Sequence, residues 1–403
     1  MLNEPKITSR SDLFSMLSEA CELEHGLACS YLFTAFSLKQ DVAEGVLDWR
    51  QLQMVRLWAG QIYMVAAEEM LHLAQVWNLL AAIGGAPYYQ RPNFPQSPKY
   101  YPLGVALKLE PFGLAAIERF IAYELPAEVP AERMMMKTLG LTAGDLRGQA
   151  RETVGALYAR IQKGIEALPE KELFIGDPAL PELVDFPDIV KVVDLESAAL
   201  AIRTITEQGE GTRADQKDCH YGAFLNIRDQ FEAENERAAK AGEPFEPARP
   251  VIENPVPRLR PDRAAGAVNL IEDPYTAAVA ELFDAIYILM LRQLQYVFSD
   301  PPQKSDLAPR FAKTAIGLMP IVIKPLGEAL TLLPAGPTHA GKTAGPAFAM
   351  TRHVPLPADP RVAKIVADER LNELATEAER LADDARAPRQ LLKAAETVKR
   401  MSL

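Results

Sequence analysis

Glu69 and His72 stand three residues apart in a stretch whose apolar residues step by threes and fours: Val55, Trp58, Ile62 and Val65 before them, Val76, Leu79 and Ile83 after. On an α-helix this spacing puts both side chains on one face, aimed toward one point, and sets that point in the apolar seam that faces a core. A carboxylate in such a seam is costly unless it is paired, protonated or bound to a cation. Glu-x-x-His is also the spacing by which helical bundles hold two carboxylate-bridged metal ions. The competing reading, a chance pair on a solvated face, fits poorly with apolar neighbours on both sides. Glu68, turned about 100° away, is expected at the surface or behind a ligand.

Other residues repeat the anomaly. The stripe Leu13, Leu17, Ala20 continues through Glu24 to Leu27 and Tyr31, so Glu24 faces inward at mid-helix. A short connection to an antiparallel neighbour would bring it beside Glu69 and His72. Its alternative is a buried glutamate satisfied by hydrogen bonds alone. His25 lies off the stripe and is expected at the surface or behind a ligand. Tyr31 is either plain core or a hydrogen-bond donor to the site, and it is the one candidate catalytic side chain. For the second half of a two-metal centre, Glu124 ends the stripe Leu114, Ile117, Phe120, and His220 heads the stripe Phe224, Ile227, Phe231. Glu210 lies at the edge of the face made by Leu195, Ala198, Ile202 and Ile205, whereas Glu207 falls nearly opposite if the helix stays regular. Taken singly, each of these is as readily structural as ligating.

As a set, Glu24, Glu69, His72, Glu124, Glu207, Glu210 and His220 suit iron, two ions being the expected number, with manganese the alternative. Carboxylates bridge such ions, neutral imidazole completes each sphere, and open positions admit dioxygen. No cysteine cluster has zinc spacing, and there is no Gly-rich phosphate loop, no GxSxG elbow and no nucleophile triad. His339 and His353 sit in loops without ligand spacing.

The elements that must position these residues read as helices. They are expected over Ser11–Ser37, with Ser11-Asp12 as cap, over Asp48–Ile83 before Gly84-Gly85, over Gly113–Glu124, Thr153–Leu168 and Asp194–Gln208, and from Cys219 to Ala239. A short strand is expected at Val105–Leu109. Residues 241–274 read as a proline-rich surface connector. Beyond it, helices are expected at Tyr275–Phe298, at Ala308–Leu333 with breaks at Pro320 and Pro325, and at Pro360–Ala385. The class is all-α: a four-helix bundle over residues 1–240, and a mostly helical companion region over 241–403 packing on it.

Composition narrows the function classes. The 403 residues carry 43 Lys and Arg against 54 Asp and Glu, a net charge of −11. Such a chain repels phosphate backbones, so no nucleic-acid partner is expected. At 24% charged and 48% apolar residues it has a globular composition. No uninterrupted apolar run approaches the ~18 residues of a membrane span, and the N-terminus lacks a signal pattern, so a cytoplasmic protein without a membrane partner is expected. Cys21, Cys29 and Cys219, with no CxxC, read as reduced thiols. The oligomeric state is left open, a homo-oligomer included.

Several runs resemble the ferritin-like domain of the iminophenyl-pyruvate dimer synthases. They are Glu22-Leu23-Glu24-His25 through Tyr31-Leu32-Phe33; Glu68-Glu69-Met70-Leu71-His72-Leu73; Asn78 through Pro87; and Glu207-Gln208-Gly209-Glu210-Gly211 followed by His220-Tyr221. The resemblance covers roughly residues 10–235, and Ala344-Gly345-Pro346-Ala347-Phe348 looks like that family's companion region. It implies a ferritin-like bundle with Glu24, Glu69 and His72 as ligands, joined by the Gln-Gly-Glu-Gly segment and His220. The second Glu-x-x-His of the common ferritin-like pattern is absent here, with Glu207-x-x-Glu210 in its place. The family includes larger enzymes that oxidatively couple two indole-pyruvate imines, some described as haem proteins. Three functions follow as expectations: a non-haem di-metal oxidase or oxygenase using dioxygen on a small, aromatic or amino-acid-derived metabolite; a haem-dependent or cofactor-free dimer synthase; and a non-catalytic bundle that binds a partner.

Overall fold

The first helix, α1 (Arg10–Ser37), is capped by Ser9, whose side chain accepts from the Asp12 amide; the cap thus falls two residues before the expected Ser11. From Ala20 to Ser37 every residue of α1 but Glu22 and Leu32 is buried. A helix buried on all sides is a central element, and that is why His25, expected at the surface or behind a ligand, lies inside. The second, α2 (Trp49–Ala82), starts from an Asp48–Gln51 capping box, which satisfies two otherwise orphaned amides. Its first half is amphipathic and buries Val55, Trp58, Ile62 and Val65, whereas everything from Glu69 to Ala82 is buried. Each large apolar side chain so enclosed contributes roughly 1.5–3 kcal/mol. Gly84, at φ +82°, ends the helix in the left-handed conformation that favours glycine.

This structure, a computed structural model, describes residues 7–97, 105–126, 153–178, 188–209, 218–259, 267–299 and 306–402. The helices α3 (Leu114–Tyr123), α4 (Val154–Ala167), α5 (Leu195–Gly209) and α6 (His220–Ala241) complete the front of the molecule. Here α1 packs along α2, α3 pairs with α6, and α4 pairs with α5; α4 also leans on α1, and α5 touches both α2 and α6. The expected strand at Val105–Leu109 does not form. That segment's backbone bonds go instead to the Gln96 amide, to the amide and side chain of Asn254, and to the Tyr123 hydroxyl, rather than along a neighbouring strand.

The rear holds α7 (Pro274–Ser299), α8 (Leu307–Leu318), a π-helical turn at Met319–Ile323, α9 (Lys324–Leu330) and α10 (Pro360–Ala382). The turn carries Pro320, as the proline spacing requires. A last helix, α11 (Arg389–Ser402), was not expected from the sequence, because its charged composition hides an apolar face of Leu391, Ala394, Ala395 and Val398. α7 is long and apolar enough to cross a membrane by composition, yet 67% of its most apolar window is buried within the protein.

Residues 241–274 are not a surface connector throughout. Arg249, Val251, Ile252 and Val256 are buried, and β1 (Pro255–Val256) pairs in parallel with β2 (Asn269–Leu270). The apolar residues between the prolines account for this. Front and rear meet over this segment: Arg249 binds Glu44 at 2.6 Å, the Phe36 carbonyl at 2.8 Å and Thr331 at 2.9 Å. Gly345 lies so close to Phe33 that an added Cβ would stand 2.5 Å from its ring.

Candidate metal centre

Five ionisable side chains from four helices converge where α1, α2, α3 and α6 meet. Glu24 comes from the middle of α1, and Glu69 and His72 come from the buried half of α2. Glu124 caps the C-terminus of α3 and His220 opens α6. All five are at most 3% exposed. Glu69 and His72 share a face because they are three apart, and Glu24 meets them because α1 and α2 run side by side.

Glu69 is the hinge of the arrangement. Its Oε2 lies 3.2 Å from His72 Nδ1, which is also 3.5 Å from Glu24 Oε2. Its Oε1 lies 3.0 Å from His220 Nδ1, which is 3.7 Å from Glu124 Oε2. The result is two donor groups, Glu24–Glu69–His72 and Glu69–Glu124–His220, each with its ligating atoms within 4.8 Å of one another and with Glu69 common to both. The two imidazoles lie face to face at 5.4 Å.

The outer atoms fix which nitrogen faces inward. His72 Nε2 lies 2.9 Å from Gln208 Oε1, and His220 Nε2 lies 2.9 Å from Glu68 Oε2. A carboxylate or amide oxygen accepts, so each Nε2 carries a proton and each ring turns its Nδ1 to the centre, where that nitrogen offers a lone pair once its own proton has left. Two tyrosines brace the carboxylates from behind: Tyr158 donates to Glu24 Oε1 at 2.5 Å, and Tyr31 donates to Glu124 Oε1. Burial first, and then the adjoining carboxylate, pushes both phenols well above the ordinary tyrosine range, so they remain donors.

The centre therefore gathers three carboxylates and two imidazoles away from water. Glu24 Oε2 and His220 Nδ1 have no hydrogen-bond partner, although both lie within ion-pair distance of other groups here. Burial, followed by the charge of Glu69, raises Glu24 from 4.5 to about 7. Burial opposes charge on His72, but the Glu24 and Glu69 carboxylates outweigh it and hold the ring at about 10; burial likewise opposes charge on His220, and Glu69 and its neighbours raise it well above its ordinary value. Protons thus take the place that cations would fill. Carboxylates with imidazole form the donor set that iron and manganese favour, and each of the two donor groups holds one such orphaned atom, which fits such ions.

Among the sequence candidates, Glu24, Glu69, His72, Glu124 and His220 come together, and Tyr31 touches the centre through Glu124. Glu207 does not join: α5 stays regular through Gly209, which leaves Glu207 exposed on the far side. Glu210 lies outside the described residues. Gly209 lies against the centre, where an added Cβ would sit 3.4 Å from Glu124 Oε2. Glu68, expected at the surface or behind a ligand, takes the second place. Gln208, part of the Gln-Gly-Glu-Gly segment that the resemblance implied, does reach the centre, behind His72, whereas Tyr158 was missed. Tyr158 was legible as a phenol within the stripe Leu157, Ile161, Ile165.

A helical bundle with a paired carboxylate–histidine cluster at its heart defines a class, and comparison with known proteins gives the family. Residues 17–229 match the family model described as Ferritin-like, and the chain belongs to that family. It is 28% identical over 382 residues to dichlorochromopyrrolate synthase of Lentzea aerocolonigenes, covering 85% of this chain and 36% of that protein. It is 29% identical over 369 residues to 2-imino-3-(indol-3-yl)propanoate dimerase of Chromobacterium violaceum, covering 85% of this chain and 34% of that one. The resemblance to iminophenyl-pyruvate dimer synthases is thereby borne out, and the chain spans about a third of the length of these curated relatives. A solved ferritin-like protein of Caulobacter vibrioides shares 18% identity at a TM-score of 0.46, over 77% of this chain and 96% of that one.

Proposed function

We propose that the chain is a non-haem di-metal oxidase or oxygenase, with iron or manganese held by Glu24, Glu69, His72, Glu124 and His220, acting on a small aromatic or amino-acid-derived metabolite. The carrying observation is the pair of donor groups that share Glu69. Bound metal would supply one-electron redox chemistry and the activation of dioxygen. The remaining tasks fall to the chain itself. Glu68 and Gln208 hold the imidazole tautomers, and Tyr31 and Tyr158 orient two carboxylates. Phe120 and Phe224, packed on Tyr31 at 4.6 and 5.0 Å, keep water from that side.

Metal analysis of protein purified without chelator, combined with oxygen-uptake assays, tests this reading. About two ions per chain and metal-dependent uptake are expected; fewer than about 0.3 per chain, with no uptake, contradicts it.

A second reading is favoured by the relatives, whose names denote a synthase and an imino-acid dimerase and whose similarity spans 85% of the chain. It is oxidative coupling of two 2-imino acid molecules, dependent on haem or on no cofactor. A Soret band, with coupling retained in Glu69→Ala, would favour it over the di-metal reading.

A further inference from the structure

A concavity in the rear of the molecule shares no residue with the metal centre. It is a cavity of about 390 Å³ between α7, the Val256–Arg258 segment, the chain at 349–354 and Arg370 of α10. That is within the size range of small-molecule sites. Its wall is mainly apolar, with Val256, Ile288 and Leu289 among its residues, and four arginines border it: Arg258, Arg292, Arg352 and Arg370.

Two of those guanidiniums are already spoken for. Arg258 pairs with Glu281, and Arg370 with Glu373. Asp284, the other acid at the rim, accepts from the Ala349 amide at 3.0 Å. Among the described residues Arg292 and Arg352 have no carboxylate within ion-pair distance. Arg292 is half-buried and its Nε, shielded from solvent, meets no acceptor. Leaving a guanidinium N–H buried and unpaired costs about 1–3 kcal/mol, and planar bidentate recognition of a carboxylate is what guanidinium groups do best. In a chain of net charge −11, an unpaired arginine pair over an apolar wall is a local reversal of sign.

We propose that this cavity binds an organic monocarboxylate with an apolar, aromatic-sized body, the acid held by Arg292 and Arg352 and the body lying on Ile288 and Leu289. The site does not depend on the metal centre, so the two readings stand or fall separately.

Indole-3-acetate is the probe, titrated by calorimetry into the full chain as purified and again after chelator treatment. The expected result is saturable one-to-one binding in both, with neutral indole-3-acetamide and inorganic phosphate each at least about tenfold weaker. Arg292→Gln and the exposed Arg352→Gln should each weaken the acid about tenfold or more, with far-ultraviolet circular dichroism unchanged. Should Arg292→Gln misfold, Arg352→Gln decides alone. The proposal is overturned by an absence of saturable binding, by equal affinity for the amide or for phosphate, by binding that disappears with the metal, or by indifference to Arg352→Gln.

Discussion

Adjacent residues of α1 enter two buried polar clusters that keep very different accounts. His25 has both ring nitrogens paired within the protein, Nδ1 to the Tyr89 carbonyl at 2.7 Å and Nε2 to the Tyr287 hydroxyl at 3.0 Å. Burial, followed by the positive Arg91, pushes it well below its ordinary pKa, so it stays neutral. Tyr287 also meets Cys29 at 3.3 Å, and Arg91 reaches the Phe348 carbonyl at 2.6 Å. Glu24, one position earlier, enters an assembly of three carboxylates and two imidazoles whose Nδ1 atoms face those carboxylates, which only added protons or cations can balance. Burial of ionisable groups is common to both clusters. What separates a binding centre from a polar core is whether donors and acceptors balance without a cation.

The largest effect that would sharpen this contrast is on metal content. Glu69→Ala removes the donor common to both groups, and bound iron or manganese is expected to fall from about two per chain to below about 0.3 by elemental analysis. His25→Phe should leave metal content unchanged while costing about 2–4 kcal/mol in denaturant unfolding, since it leaves the Tyr89 carbonyl unpaired and the Tyr287 hydroxyl with Cys29 alone.

Acidity should separate the clusters next. Glu24 has a folded pKa of about 7 against an ordinary 4.5. A carboxyl raised in this way stabilises the metal-free fold below about pH 4.5 and loses that contribution as pH rises to about 7. Chelated protein should therefore weaken across that window by a few kcal/mol at most, measured by urea unfolding. His72 runs at higher pH: raised from 6.5 to about 10, it contributes fully below pH 6.5, and its contribution goes as pH climbs toward 10. Metal uptake runs the other way, gaining about tenfold or more in affinity per pH unit between 5 and 7 as the ligands shed protons.

Smaller effects belong to the outer atoms. Glu68→Gln is expected to weaken one of the two ions by about 10–100-fold in competitive chelator titration, and Gln208→Leu the other. Tyr158→Phe, which removes only a brace on Glu24, should cost about tenfold or less in the same titration. Equal loss of both ions in each variant would break the assignment of one imidazole to each ion.

Much of this was legible in the residues. Glu69-x-x-His72 and Glu24 announced themselves because each interrupts an apolar stripe at mid-helix, where the 3.6 period is dependable. Glu124 and His220 were harder, since they stand at helix ends and only tertiary packing tells whether such a residue turns inward. Glu207 falls opposite the buried face, as a regular helix requires, because α5 stays helical through Gly209. His25 was misplaced because a one-stripe view assumes that a helix has a solvent side, and α1 has none over most of its length. Tyr158 acts through a contact 134 residues distant in sequence, which local pattern does not encode; Gln208, 136 residues from His72, was indicated by the resemblance and not by its own helix. Apolar residues among prolines likewise hid the buried course of residues 249–256.

Anomalous scattering from crystals grown without chelator, recorded at the iron and manganese edges, addresses the central claim most directly. Two peaks are expected on either side of Glu69, one against Glu24 and His72 Nδ1, the other against Glu124 and His220 Nδ1. Crystals of metal-supplemented protein with no peak there, or with Glu24 and Glu69 hydrogen-bonded only to protein and water, would contradict it.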